Sequence, residues 1–265
     1  MSNEATTIGA FEASLRKRRE SGGKILVPYI TGGLGDDWIE TLHAVAEAGA
    51  DGIEIGIPFS DPVMDGPVIQ EANDRALTGG CTPHSILNGL RSADLQIPLA
   101  VMTYYNIAFR AGDLRFAQDL AEAGVSAAIL PDLPLEETTS WAAAADEAGI
   151  ETILLAAPTA PDERLPRICE RSRGFVYGVG LLGVTGVRDE LAASAMDIAG
   201  RLKKVTEKPV LVGVGVGTPA QAVEVSTVSD GVVVGSAIVT KMLDGSGPEG
   251  VGALVKEFRD ALDAQ

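Results

Sequence analysis

The sequence predicts an α/β protein whose strands run parallel and close into a (β/α)8 TIM barrel, with an extra helix ahead of the first strand. Three observations carry that expectation. Short apolar runs rich in Val, Ile and Leu recur along the 265 residues, each followed by an amphipathic segment. The runs show little apolar/polar alternation, as strands covered on both faces do. No Pro/Ser linker or low-complexity block separates them, so a single domain over residues 1–265 is expected. A doubly wound open sheet also fits such alternation, but repeated units of similar length favour closure, and single barrels commonly run to about 250 residues.

Taken in order, a helix over residues 11–20 leads into the first strand at 25–30. The next strands are expected at 52–57, 98–103, 127–130, 152–156, 175–179, 210–214 and 231–234. Helical segments fall between them at 38–48, 114–123, 137–147, 161–171, 189–205 and 220–228. Ala48-Gly49, Ala123-Gly124 and Ala148-Gly149 punctuate three of the helix ends. Glycine just past a helix accepts a left-handed backbone at no steric cost.

Composition narrows the function. Hydrophobic residues make up 46% of the chain, ample for a buried core, and the net charge is -16. A nucleic-acid surface needs clustered Lys and Arg and is not expected here. A small phosphorylated substrate is compatible with this charge, because helix N-termini bind anions through backbone N–H groups. Cys81 and Cys169 stand in unrelated contexts without metal spacing and read as reduced thiols. Residues 1–10 lack the basic start and apolar stretch of a signal peptide, and no run reaches the ~20 apolar residues of a membrane helix. A soluble cytoplasmic protein with no metal is expected.

In such a barrel, chemistry sits at the C-terminal ends of the strands. The densest unusual stretch there is Gly52-Ile53-Glu54-Ile55-Gly56-Ile57-Pro58-Phe59-Ser60-Asp61-Pro62-Val63-Met64-Asp65-Gly66-Pro67. Alternation along the strand places Ile53, Ile55 and Ile57 on one face and Gly52, Glu54 and Gly56 on the other. The isoleucines suit the layer under the helices, and the glycines leave space around Glu54 inside the barrel. A carboxylate there is costly unless it is paired or used. One reading is a strand-end glutamate bonded to backbone or solvent, and the other is an acid/base group raised in pKa by its apolar surroundings. Asp61, within Ser-Asp-Pro, reads first as a turn former. Asp65, further along a loop that should fold over the barrel mouth, is the better second carboxylate.

Gly213 and Gly215 follow the seventh strand, and Gly235-Ser236 follows the eighth at the start of a helix. Loops at these two positions bind phosphate in many barrels. Turn glycines would be the plain alternative at either place, but the two together at these strand ends favour a phosphate site. After the sixth strand, Gly183-Val184-Thr185-Gly186 has the glycine content of a closing lid.

The run Glu54-Ile55-Gly56-Ile57-Pro58-Phe59-Ser60-Asp61-Pro62, with Asp65-Gly66-Pro67 and Ile69-Gln70, closely resembles the signature of the tryptophan synthase alpha chain family. The resemblance continues at the other strand ends. It runs through Val27-Pro28-Tyr29-Ile30-Thr31, Tyr104-Tyr105-Asn106, Pro131-Asp132-Leu133-Pro134, Gly183-Val184-Thr185-Gly186 and Gly235-Ser236-Ala237-Ile238-Val239. It thus covers essentially the whole chain, in order. The resemblance implies retro-aldol cleavage of indole-3-glycerol phosphate without a cofactor, the protonated indole being its own electron sink. Glu54 would then be the acid/base and Asp65 the partner of the indole N–H. Thr185 would contact Asp65. Tyr29, Tyr104 and Tyr177 would line the indole pocket, while Gly183, Gly186, Gly213, Gly215, Gly235 and Ser236 would hold the phosphate. It also implies a pyridoxal-phosphate beta subunit as partner in an alpha2-beta2 heterotetramer, docked around Asp61, Pro62 and the loop near Asn106.

The match has two departures. The family commonly carries Asp-Pro after the first strand-end glycine, where this chain reads Gly32-Gly33-Leu34-Gly35, and an arginine where it has Leu181. Both touch loop closure and leave Glu54 and Asp65 in place. Other barrel enzymes fit less well. An indole-glycerol phosphate synthase needs a strand-end lysine, and the lysines here fall in helices or before strands. A metal-dependent epimerase wants several histidines, and only His43 and His84 occur. A free-standing indole-glycerol phosphate lyase and a non-catalytic subunit that activates a partner remain the functional alternatives.

Overall fold

The structure is a computed structural model and describes residues 8–180, 188–213 and 215–265. The strands are β1 (Ile25–Thr31), β2 (Ile53–Gly56), β3 (Leu99–Met102), β4 (Val125–Ile129), β5 (Glu151–Ala156), β6 (Val176–Gly178), β7 (Val210–Val212) and β8 (Gly231–Val234). They pair in parallel, each with the next, and β8 returns to β1 to close the barrel. Closure needs a glycine: a Cβ on Gly231 would lie 2.1 Å from the Ile25 carbonyl oxygen, so only hydrogen fits at the seam.

The helices that wrap the first half are α1 (Ala10–Glu20), α2 (Trp38–Glu47), α3 (Pro67–Thr78), α4 (Pro83–Ser92), α5 (Tyr105–Ala111) and α6 (Asp113–Glu122). The second half carries α7 (Thr139–Ala148), α8 (Leu165–Arg171), α9 (Arg188–Leu202), α10 (Pro219–Ser226), α11 (Ser236–Leu243) and α12 (Gly247–Asp263). Gly49, Gly124 and Gly149 do stand past α2, α6 and α7 with φ of +99°, +77° and +77°.

Several boundaries differ from the sequence reading. The expected helix at 161–171 begins only at Leu165, because Pro161 opens a turn that Arg164 closes onto its carbonyl. Of the last expected strand residues, Gly213 falls outside β7, which ends at Val212, and Val214 lies outside the described residues. The segment around Asn106, read as a loop, is the helix α5, started by an Asp132 carboxylate that accepts the Tyr105 N–H at 2.8 Å. Helices α3, α4 and α12 were not expected. For α4 the signal was present: Thr82 and Ser85 form a reciprocal capping box and Pro83 sits in the first turn.

Burial divides into two layers. Inside the barrel, Val27, Ala100, Ile129, Ile153, Phe175, Leu211 and Val233 pack with Phe11 and Leu15 of α1, which plugs the N-terminal end. Between barrel and helices, Leu26, Ile30, Ile53, Ile55, Val101 and Val212 meet the apolar helix faces. Ile53 and Ile55 therefore face outward, and Glu54 faces in. Burial of this kind contributes about 25 cal/mol per Å² of apolar surface. The plug is fixed by Glu151, whose carboxylate accepts the N–H groups of Phe11 at 2.7 Å and Glu12 at 3.0 Å. It stands in for the side-chain cap that Gly9 cannot supply.

Candidate active site

The centre of the site is a carboxyl group with too few partners. Glu54 is 1% exposed, and its Oε2 is enclosed without a hydrogen-bond partner. Burial, and then the negative charge of Asp65, raise its pKa to about 8. At neutral pH the side chain is a protonated acid, able to give up a proton and take one back.

Asp65 reaches the same space from the loop after β2. Its main-chain N–H donates to the Pro62 carbonyl at 3.0 Å, and its own carbonyl accepts from the Gln70 amide at 2.8 Å. Its carboxylate accepts the Tyr104 hydroxyl at 3.0 Å, while that hydroxyl accepts the Met64 N–H at 2.8 Å. Phe59 stacks on Tyr104 with ring centroids 4.8 Å apart. One tyrosine at the end of β3 thus holds the loop at two points. Burial raises the Asp65 pKa, and the Tyr104 bond pulls it back down.

Two further phenols enter the mouth, and each occupies the place of a missing side chain. A Cβ on Gly56 would fall 1.8 Å from the Tyr29 hydroxyl, and one on Gly213 would fall 2.1 Å from the Tyr177 hydroxyl. These two glycines are empty so that rings from neighbouring strands can cross over them. Gly213 was read from sequence as a phosphate-binding turn. Its N–H donates to the Gly178 carbonyl at 3.4 Å, continuing the β6–β7 ladder. Gly215 stands in a left-handed conformation with φ of +85°. Gly235 and Ser236 open α11, as expected, so the first-turn N–H groups of that helix point out of the strand ends.

The rest of the sequence-predicted set is dispersed or lies elsewhere. Asp61 is exposed, and its carboxylate accepts the Ser60 hydroxyl at 2.6 Å, in keeping with a turn role. Pro62 lies beside it, and Asn106 is exposed on α5. Gly183, Thr185, Gly186 and Leu181 lie outside the described residues. Leu34 is packed against Tyr29, Ile69 and Val239, so this departure fills a small apolar cluster at the mouth. His43 and His84 are exposed on α2 and α4. Lys24 and Lys208 donate to backbone carbonyls at the ends of α10 and α8, away from the strand C-termini.

Two polar residues at the mouth were missed. Thr31 at the end of β1 is fully buried, and its Oγ1 has no partner. Asn73 on α3 is 3% exposed with its Oδ1 unpartnered. Asn73 carried a legible signal: it falls on the same helical face as Ile69, Ala72 and Ala76, where an apolar residue would be ordinary.

With this geometry in place, comparison with known proteins identifies the lineage. The family model described as "Tryptophan synthase alpha chain" matches residues 15–260. The tryptophan synthase alpha chain of Streptomyces coelicolor is 44% identical over 244 residues, covering 90% of this chain and 88% of that one. That of Thermobifida fusca is 43% identical, covering 94% and 95%. Among solved structures, a chain of Mycobacterium tuberculosis tryptophan synthase superposes with a TM-score of 0.88 at 37% identity, covering 97% and 99%. The tryptophan synthase subunit alpha of Legionella pneumophila gives 0.86 at 32% identity, covering 98% and 100%. The chain belongs to the tryptophan synthase alpha chain family.

Proposed function

We propose that Glu54 and Asp65 carry the lyase reaction of this alpha chain, the cleavage of indole-3-glycerol phosphate to indole and glyceraldehyde 3-phosphate in tryptophan biosynthesis. The observation that supports this most is the Glu54 carboxyl, enclosed, short of a partner and raised to about pH 8. A buried ionisable group kept in that condition is costly, and such groups concentrate where proton transfer is done.

The protonated Glu54 gives its proton to the indole carbon that bears the glycerol chain. The ring becomes a cationic indolenine, and Asp65 accepts a hydrogen bond from its N–H and offsets the charge. The Glu54 carboxylate then takes the proton of the hydroxyl on the adjacent chain carbon. The carbon–carbon bond breaks, its electron pair returns to the ring, and the chain leaves as an aldehyde. Glu54 ends protonated, so the cycle balances. The protonated ring accepts the electrons itself, and the reaction calls on no cofactor.

The substrate phosphate binds at the α11 N-terminus through Gly235 and Ser236, with Gly215 close by and Gly183 and Gly186 from the loop after β6. Backbone N–H groups suit a chain of net charge -16, where a phosphate would otherwise meet repulsion. Gly213 contributes by admitting Tyr177, which with Tyr29 and Tyr104 walls the indole pocket. Thr185, outside the described residues, is assigned to Asp65 by the family resemblance alone.

The chain works in the cytoplasm as one barrel domain, residues 1–265. Among the described residues no helix is long and apolar enough to cross a membrane. Its partner is a tryptophan synthase beta subunit in an alpha2-beta2 assembly. Val63, Met64 and Phe109 are exposed apolar side chains on the loop after β2 and on α5, beside Asp61, Pro62 and Asn106. Such a patch with a polar rim is what a docking surface presents. Indole release from indole-3-glycerol phosphate, measured with and without an added beta subunit, tests this reading. Slow release that rises strongly with the partner supports it. Fast release indifferent to the partner points to a free-standing lyase, and no release in either case refutes the cleavage.

A further inference from the structure

The barrel mouth carries a hydroxyl that the proposed roles above leave without a task. Asp65 serves the indole N–H and the α11 end serves the phosphate. Between them lies a glycerol chain with two hydroxyls. β1 sets Tyr29 in register with Glu54, and the ring crosses toward β2 until its hydroxyl fills the place of the Gly56 side chain. Gly56 follows Glu54 by two residues and shares its inward face. The phenolic oxygen therefore stands one pleat above the point where the Glu54 side chain leaves β2, nearer the mouth. Its polar neighbour on the same strand is the enclosed Thr31 hydroxyl, which faces the phenol and holds its pKa slightly down. Tyr104, by contrast, commits its hydroxyl to Met64 and Asp65.

We infer that Tyr29 acts on the reacting hydroxyl of the substrate: its phenol donates a hydrogen bond to the oxygen on the chain carbon attached to indole, turning that hydroxyl's proton toward Glu54. The inference rests on the proposed cleavage of indole-3-glycerol phosphate. Burial and the negative charges of Asp65 and Glu54 push the Tyr29 pKa up, so the phenol keeps its proton and remains a donor. As Glu54 removes the hydroxyl proton, the chain oxygen gains negative charge and the Tyr29 bond strengthens. A bond that strengthens on the way to the transition state raises kcat more than it lowers KM. Tyr29 is thereby a determinant for a hydroxylated chain over a plain alkyl one.

Tyr29→Phe removes the oxygen and leaves the ring over Gly56. Indole release is measured for wild type and variant with a saturating beta subunit, together with the Kd for 3-(indol-3-yl)propyl phosphate. That analogue keeps ring and phosphate and lacks both hydroxyls. The expected result is a kcat lower by about tenfold with little change in KM. The Kd for the analogue should stay within about twofold of wild type, which also verifies that the pocket is intact. A kcat equal to wild type overturns the inference, and so does a loss of analogue affinity as large as the loss of turnover. Absence of indole from the wild-type enzyme would sink the cleavage reading itself, and this inference with it.

Discussion

At the N-terminal end of the barrel, Glu151 on β5 is 5% exposed and accepts two backbone N–H groups at the start of α1. At the C-terminal end, Glu54 on β2 is 1% exposed, and one of its oxygens meets nothing. Burial raises the pKa of both, but at Glu151 the hydrogen bonds from Glu12 and Phe11 pull it back, whereas at Glu54 the charge of Asp65 pushes it further up. Two buried carboxyl groups thus sit in opposite surroundings. One is satisfied and anchors a helix, and the other is left short of a partner, as the proposed acid/base role requires. Their neighbours divide less sharply, since Thr152 beside Glu151 also keeps a buried hydroxyl oxygen without a partner. Near the floor, Asp51 accepts the Leu26 N–H at 2.9 Å and pairs with Arg259 at 3.2 Å. At the mouth, Thr31 and Asn73 keep oxygens unpartnered.

Substitution at the two glutamates gives the sharpest separation. Glu54→Gln should lower indole release by about a thousandfold or more, because the amide can neither give nor take the proton. Its stability should rise with the loss of the buried acid. The Glu54 pKa is above its ordinary value of 4.5, so the folded state holds the proton more tightly than the unfolded one. Stability is therefore lost as pH climbs from 4.5 to about 8. The gain of Glu54→Gln over wild type should be small at pH 4.5 and reach on the order of a few kcal/mol above pH 8. Chemical unfolding across that range checks it. Glu151→Ala should do the reverse, costing about 1–3 kcal/mol of stability with turnover of the folded enzyme nearly unchanged.

A smaller effect tests why the mouth is built around missing side chains. In Gly213→Ala the new Cβ would collide with the Tyr177 hydroxyl and drive the phenol into the indole pocket. Indole release should fall by about tenfold or more, with roughly 1–3 kcal/mol of destabilisation from overpacking. The smallest expected change is at Tyr104→Phe, which frees Asp65 from its hydroxyl. Since that bond lowers the Asp65 pKa, its loss should move the acid limb of the pH–rate profile upward and slow turnover by several-fold, about one hydrogen bond's worth.

Much of this was legible in the amino-acid order. The inward placement of Glu54 follows from strand alternation flanked by Gly52 and Gly56, and the structure shows Ile53 and Ile55 in the outer layer. The helix at Gly235-Ser236 and the glycine caps after α2, α6 and α7 were equally readable, being local chemistry. What stayed hidden depends on residues far apart in sequence. Gly213 looks like a turn glycine until Tyr177 is seen lying over it, and Gly9 gives no hint that Glu151 caps its helix. Helix α12 escaped notice because Gly247, Gly250 and Gly252 weaken its helical pattern. Gly252 is there so that α12 can approach Ala44 of α2, where a Cβ would stand 3.3 Å from that side chain. Asn106 was misplaced because helix α5 starts on a carboxylate, Asp132, that lies after another strand.

The most direct test of Glu54 as the acid that starts the reaction is the pH dependence of kcat for indole release, with beta subunit saturating. The reaction begins from protonated Glu54, so above the acid limb set by Asp65, kcat should hold and then fall as pH rises through about 8, with that upper limb absent from the residual activity of Glu54→Gln. A rate that climbs through pH 8 and stays high at more alkaline pH would mean that the ionised carboxylate starts the reaction, and would contradict the account.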